Sequence, residues 1–249
     1  MPAVAEMVNT SNGRAPSAAQ PAAWMPISMV PMPGGRQLPF PHLLDRYKPG
    51  VIAVLRSGRR FANESNSYHD LGSAAILASA GSDVVFWLIA DSRSVRKYGL
   101  GFVKPSPLPL RKHLASGYLT CAPTLERLGI AIGVDPAGLR QTVERFNEQA
   151  RCGLDPEFGR GTTSFNRYLG DPAHQPNPCV APLDTPPFYA VRLTVGDLST
   201  YDGIDTDTAG RVRRDDGSIV RGLYVVGADR ASMMGGAYPG PGINHGPHM

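Results

Sequence analysis

Glycine (28) and proline (24) together make up about a fifth of the 249 residues, well above the roughly 12% of an average globular chain. With 42% hydrophobic and 18% charged residues, the chain has the apolar material for one or two turn-rich packed domains and is neither a coiled coil nor a disordered tail. Its net charge of +4 is spread without a long basic run, which excludes nucleic-acid binding by a charge footprint.

Residues 1–23 are dominated by Ala, Pro, Ser and Asn, and a poorly ordered leader is expected over 1–27. Val51-Ile52-Ala53-Val54-Leu55 reads as a buried strand, Ser57-Gly58 as a turn, and Arg59-Arg60-Phe61 as the start of the return strand of a hairpin. A second buried strand is expected over Val84 to Ile89. The run from Val84 to Ala90 is the longest fully apolar one, far short of the ~20 residues of a membrane span. No basic start followed by an apolar stretch suggests a secretory signal.

Asp135-Pro136 is a helix start, with Asp at the N-cap and Pro in the first turn. Leu139, Val143, Phe146 and Ala150 then share one face, which reads as scaffold. Residues 153–187 are punctuated by Gly and Pro without a clean period, and Phe188 to Val195 reads as a strand. Asp215-Asp216-Gly217 is a hairpin turn between Arg211-Val212-Arg213 and Ile219. Leu223 to Val226 reads as a short buried strand ending at Gly227, before the Gly/Pro-dense run from Gly235 to Gly242.

Cys121, Cys152 and Cys179 form an odd set without a C-x-x-C pair, which fits a reducing cytoplasm rather than a disulfide framework. His42, His113, His174 and His248 lack metal-ligand spacing, so no metal site is expected. No nucleophile-elbow motif is present, although sequence leaves a Ser/His/Asp triad open. No G-x-G-x-x-G occurs; Gly240-Pro241-Gly242 comes nearest, with His245 at its third position.

Two separated stretches carry a resemblance. The run Gly203-Ile204-Asp205-Thr206-Asp207, Gly210-Arg211-Val212, Asp216-Gly217, Gly222 to Asp229 and Gly235 to Gly242 resembles the closing segment of the flavoproteins that include fumarate reductase. Within them, Tyr238-Pro239-Gly240-Pro241-Gly242 is similar to the 3-ketosteroid Δ1-dehydrogenases. Upstream, Gly58-Arg59-Arg60-Phe61-Ala62-Asn63-Glu64-Ser65-Asn66-Ser67-Tyr68, then Phe86-Trp87 and Asp91-Ser92-Arg93, resembles the substrate domain of the same enzymes.

The resemblance implies an FAD-dependent oxidoreductase that removes two hydrogens from adjacent carbons beside the carbonyl of a flat, steroid-like ketone and passes electrons to an acceptor. Abstracting a proton there builds charge on the carbonyl oxygen, and the Tyr238 hydroxyl and the Gly242 backbone N–H match the positions that face it. Tyr68 matches the base. A phenol of ordinary pKa about 10 is ~0.1% ionised at neutral pH, and lowering it three units takes roughly 4 kcal/mol, so activity is expected to rise with pH. The second hydrogen leaves as hydride to the flavin N5. Asp229 matches the acidic position at the ribityl chain, or else caps the turn after the strand; Gly227 and Gly236 accompany it, and Gly242, Ile243 and Asn244 would lie along the flavin ring. Fumarate reductases place an arginine acid just after the Asn-Glu pair and clamp a dicarboxylate with further basic groups; here that window reads Ser65-Asn66-Ser67-Tyr68-His69, which favours an uncharged ketone. His69 is expected to be a solvated loop residue.

The implied fold is an α+β substrate (capping) domain over residues 28–199, joined to the returning C-terminal part of an α/β FAD-binding domain over 200–249. Nothing in residues 1–50 resembles the N-terminal FAD-binding βαβ unit of the family, so the expected partner is that missing half. Two rivals stand beside this reading: a fumarate reductase-like flavoprotein acting on a carboxylate, and an inactive fragment acting as a binding module.

Overall fold

The computed structural model describes residues 22–232. The chain divides into two compact units, with the division after Trp24 and after Gly196.

In the unit Met25–Gly196, strands β1 (Ala22–Pro31), β2 (Gln37–Pro41), β3 (Val51–Val54), β4 (Phe86–Asp91), β5 (Thr120–Ala122) and β6 (Phe188–Thr200) form one sheet in the order β2-β1-β6-β4-β3, with β5 paired to β6. Helices α1 (Tyr68–Ala78), α2 (Ser92–Tyr98), α3 (Arg111–Ala115), α4 (Leu125–Ile132), α5 (Pro136–Ala150) and α6 (Ser164–Tyr168) fill the connections. Strand β4, between β6 and β3, is buried throughout. Its alternating side chains serve two cores, as a period of two dictates. Trp87 and Ile89 pack with Val143 and Phe146 of α5 on one side. Phe86, Leu88 and Ala90 pack with Ala75 of α1, Val95 and Tyr118 on the other.

Helix α5 starts as the sequence dictates: the Asp135 side chain accepts from the Ala137 N–H, and Leu139, Val143, Phe146 and Ala150 are all buried. Asp135→Ala is expected to cost about 1 kcal/mol, read as a lower thermal midpoint.

Three expectations in this unit need correction. Ala22 to Ile27, placed in a disordered leader, are the first residues of β1, with Ala23 and Met25 buried. Arg59-Arg60-Phe61 is no return strand; β3 pairs instead with β4, Val51 opposite Ala90. Arg60 leaves the sheet because its guanidinium is drawn into buried carboxylates. The last strand runs past Val195 to Thr200. Helix α1 was not expected, although Ser67 followed three residues later by Asp70 is a cap pattern; Ser67 Oγ accepts from the Asp70 N–H.

Among the described residues of the other unit, β7 (Arg211–Arg213) and β8 (Ile219–Tyr224) pair antiparallel around the Asp215–Gly217 turn. Gly217 sits at φ 81°, a conformation that glycine adopts without strain. The segment expected as a buried strand is exposed instead: Tyr224 is 63% and Val226 69% accessible. A two-stranded ribbon has no second layer of its own to cover both faces.

Candidate functional site

The approach to Tyr68 is held by the side chains of Arg46, Tyr47, Arg160 and Asn166. Arg46, fully buried, donates to the main-chain oxygens of Glu64 (2.6 Å) and Asn66. Tyr47 adds its hydroxyl to the Asn66 oxygen at 3.1 Å. Asn166 donates to the Ser65 oxygen at 2.9 Å and the Asn66 side chain at 3.0 Å, and accepts from Asn63. Arg160, also fully buried, reaches Ser65 Oγ, Glu64 Oε2 and the main-chain oxygens of Val51, Arg46 and Lys48. The carbonyls of residues 64, 65 and 66 are thus each fixed by a side chain immediately before α1 begins.

Charge makes this clamp rigid. Arg60 bonds both oxygens of Glu64 (2.8 and 2.7 Å) and both oxygens of Asp155 (2.8 Å each). Its guanidinium lies 4.9 Å from the Phe146 ring centroid and 4.8 Å from that of Phe158, within cation–π range. Burial by itself would raise the Glu64 carboxyl, but the fields of Arg60 and Arg160 and the hydrogen bonds from Arg60 and the Ala53 N–H hold it below its usual value. Burial would likewise discharge Arg60, and the attraction of Glu64 with the hydrogen bonds to Asp155 and Glu64 overrides it.

Tyr68 emerges from the clamp as the first residue of α1 and is 3% exposed, not a loop tyrosine open to solvent. His69, expected to be solvated, is buried in the same turn. None of Arg46, Arg160 and Asn166 was singled out in the sequence, because they lie far from Tyr68 along the chain.

A second buried array borders a cleft of about 400 Å³. His42 Nδ1 lies 2.7 Å from Asp45 Oδ2, and His42 Nε2 lies 2.8 Å from Ser28 Oγ. This is the line-up of a Ser/His/Asp triad, but Ser28 and His42 are 1% and 0% exposed and Ser28 Oγ is also shared with Tyr118 Oη at 2.7 Å. A nucleophile sealed on both sides attacks nothing. The array instead fixes a wall of the cleft: Asp45 accepts the Gly101 N–H at 2.8 Å and Tyr118 Oη the Phe102 N–H at 2.9 Å.

Of the residues expected at the cofactor, Asp229 and Gly227 lie in the described part; Gly236, Gly242, Ile243 and Asn244 lie outside it, as does Tyr238, expected at the substrate carbonyl. Gly227 and Asp229 form a single helical turn after β8, and the Ile204 N–H donates to the Asp229 main-chain oxygen at 2.9 Å. Val226, at the N-cap, makes no side-chain bond there. Asp229 is exposed and, among the described residues, its carboxylate caps no backbone N–H and pairs with no cation. Gly227 has φ 72°, and among the described residues nothing lies within 4 Å of where a Cβ would stand.

Comparison with known proteins decides what this turn belongs to. The family model described as "FAD binding domain" matches residues 6–244. The chain belongs to the FAD binding domain family. FAD is the cofactor of that family, and Asp229 fits it: an exposed carboxylate, unpaired among the described residues, can accept from the hydroxyls of a polyol chain. The family member "4-oxocyclohex-2-ene-1-carboxylate 5-dehydrogenase" of Sinomonas cyclohexanicum is 48% identical over 90% of this chain and 38% of its own length. "3-oxosteroid 1-dehydrogenase" of Mycobacterium tuberculosis is 39% identical over 92% of this chain and 41% of its own. In structure, the chain is similar to the 3-ketosteroid Δ1-dehydrogenase of Sterolibacterium denitrificans in complex with 1,4-androstadiene-3,17-dione, with a TM-score of 0.83 and 38% identity over 95% of this chain and 42% of that one. The chain therefore spans about two fifths of the length of the relatives it matches. No described helix is long and apolar enough to cross a membrane.

Proposed function

We propose that this chain takes part in the FAD-dependent dehydrogenation of a flat cyclic ketone, removing hydrogens from two adjacent carbons, the first beside the carbonyl. The observation that carries the reading is Tyr68, buried at the head of α1 behind a clamp of charged side chains, in a chain 39% identical to a 3-oxosteroid 1-dehydrogenase. Its phenolate form takes up the proton from the carbon beside the carbonyl and becomes the neutral phenol. The clamp fixes the carbonyls of residues 64–66, so that the tyrosine reaches the substrate without rearranging. Tyr238 and the Gly242 N–H donate to the carbonyl oxygen as negative charge builds there. Bound FAD supplies the hydride acceptor. Asp229 holds its ribityl hydroxyls, with Gly227 and Gly236 giving room and Gly242, Ile243 and Asn244 along the ring. Residues 28–199 serve as the α+β substrate domain and the segment from 200 onward as part of the α/β FAD domain.

The absence of arginine from Ser65 to His69 disfavours fumarate reduction. With FAD bound, the protein should oxidise androst-4-ene-3,17-dione or a substituted cyclohexanone with an artificial dye as electron acceptor; turnover with fumarate and not with any cyclic ketone would overturn the reading. A charge-assisted hydrogen bond contributes about 1.5–3 kcal/mol, so Asp229→Ala should weaken FAD binding about 10- to 150-fold, measured by flavin fluorescence titration.

A further inference from the structure

We infer that the cleft between residues 40–48 and 98–105 receives the carboxylate of a cyclic keto acid, with Lys104 and Lys48 as its cationic partners. The inference rests on the ketone reading above and narrows its substrate class.

The cleft is apolar over much of its wall, with Phe40, Leu44 and Pro105 among its lining, and Lys48, Lys104 and Asp45 are its charged members. Its size suits a small organic ligand, for which ~300–1,000 Å³ is usual. The single acid does not offer a competing charge. Asp45 already accepts from His42 and the Gly101 N–H through one oxygen, so its negative charge is answered from within the protein. Asp171, whose charge also acts on Lys48, is bound to Lys97 at 2.6 Å and Tyr98 at 2.7 Å.

The two lysines are not equally committed. Lys48 donates to the main-chain oxygens of Leu169 (2.7 Å) and Gly170 (2.9 Å), leaving one of three N–H groups. Lys104 is exposed and, among the described residues, has neither an ion pair nor a hydrogen-bonded side-chain partner. An uncommitted ammonium on an apolar wall selects an anion attached to an apolar ring, and a steroid diketone supplies no such anion. The turn Asp45–Tyr47 connects this cleft to the Tyr68 clamp: Asp45 lines the cleft, while Arg46 and Tyr47 hold the Asn66 carbonyl two residues before Tyr68. The cleft thus supplies the partner for the carboxylate of such a ligand.

The test titrates the protein with 4-oxocyclohexanecarboxylate and, separately, with its methyl ester, following the amide resonances of Gly101, Val103 and Lys104. The acid is expected to bind about tenfold more tightly than the ester, with the advantage shrinking as salt is raised. Lys104→Gln should abolish that advantage and Lys104→Arg should retain it; being exposed, neither variant disturbs the fold. Equal binding of acid and ester, binding that leaves these resonances unmoved, or an advantage that survives Lys104→Gln would each overturn the inference. The two readings separate cleanly: an ester dehydrogenated as well as the acid keeps the ketone reading and sinks this one, whereas acid bound at the cleft without dehydrogenation does the reverse.

Discussion

Arg60→Ala is expected to lower folding stability by about 3–5 kcal/mol, read as a fall in the urea midpoint at unchanged slope. Arg60 is the partner of two buried carboxylates, and its removal leaves Asp155 without its ion pair and Glu64 with the 3.2 Å contact to Arg160 and the Ala53 N–H. The ring contacts to Phe146 and Phe158 are lost at the same time. A surface pair offers the contrast. Arg140 also meets two glutamates, Glu126 and Glu144, but the three side chains are 42%, 46% and 56% accessible, and Arg140→Ala should leave the midpoint almost unmoved because water screens both forms. Acid provides a second reading of the same network. The Glu64 and Asp155 carboxyls sit below their ordinary values when folded: burial alone would raise them, and their arginines outweigh it. The stability they contribute is therefore complete above the unfolded-state values near 4 and is lost as pH falls through the lowered folded values. In Arg60→Ala this acid-dependent component should shrink. A loss below about 1 kcal/mol would mean that the carboxylates find other partners, and the clamp would not be the element that sets Tyr68.

What the sequence displays and what it hides follow from the range of each interaction. Helix α5 is legible because its cap, its proline and its apolar stripe all lie within sixteen consecutive residues. The β7–β8 hairpin is legible for the same reason, its turn being three residues of local chemistry. Arg60 misleads a local reading. After a strand and a Ser-Gly turn it looks like the start of a return strand, yet its partner Asp155 is 95 positions away. Arg46 and Arg160 are hidden more deeply, since nothing in an isolated arginine distinguishes one that is fully enclosed among carbonyl oxygens from one in solvent. The exposed Tyr224 and Val226 fail in the opposite direction: an apolar run of four is a fair sign of burial only when a second layer covers it. Tyr68 could be named from a family motif, but its burial at a helix start could not, because α1 has few apolar residues in its first turn.

Tyr68→Phe is expected to lower kcat for ketone dehydrogenation in the FAD-loaded protein by about 10²–10⁴, the usual value of a positioned proton acceptor. The ring is kept and only the hydroxyl is lost, so the thermal midpoint should move little, by the equivalent of about 1 kcal/mol, and FAD affinity should not change because Asp229 is untouched. The pH profile supplies the independent readout. If the phenolate is the reacting form, kcat/KM of the native protein rises with pH, and the residual activity of the variant does not. The position of Tyr68 at the start of an eleven-residue helix favours negative charge, but a helix end contributes only about 0.3–1 kcal/mol, against the roughly 4 kcal/mol that three units of acidity require. The helix end therefore cannot ionise the phenol alone. The remainder must come from the pocket around the hydroxyl and from the rigidity that the clamp imposes on it. Asn166→Ala, which frees the carbonyl of Ser65 and the side chain of Asn66, should accordingly depress kcat more than KM while leaving the pH at half-maximal rate near its native value. A Tyr68→Phe protein that retains more than a tenth of native kcat, with a pH profile unchanged from pH 6 to 10, would remove this tyrosine from the proton step.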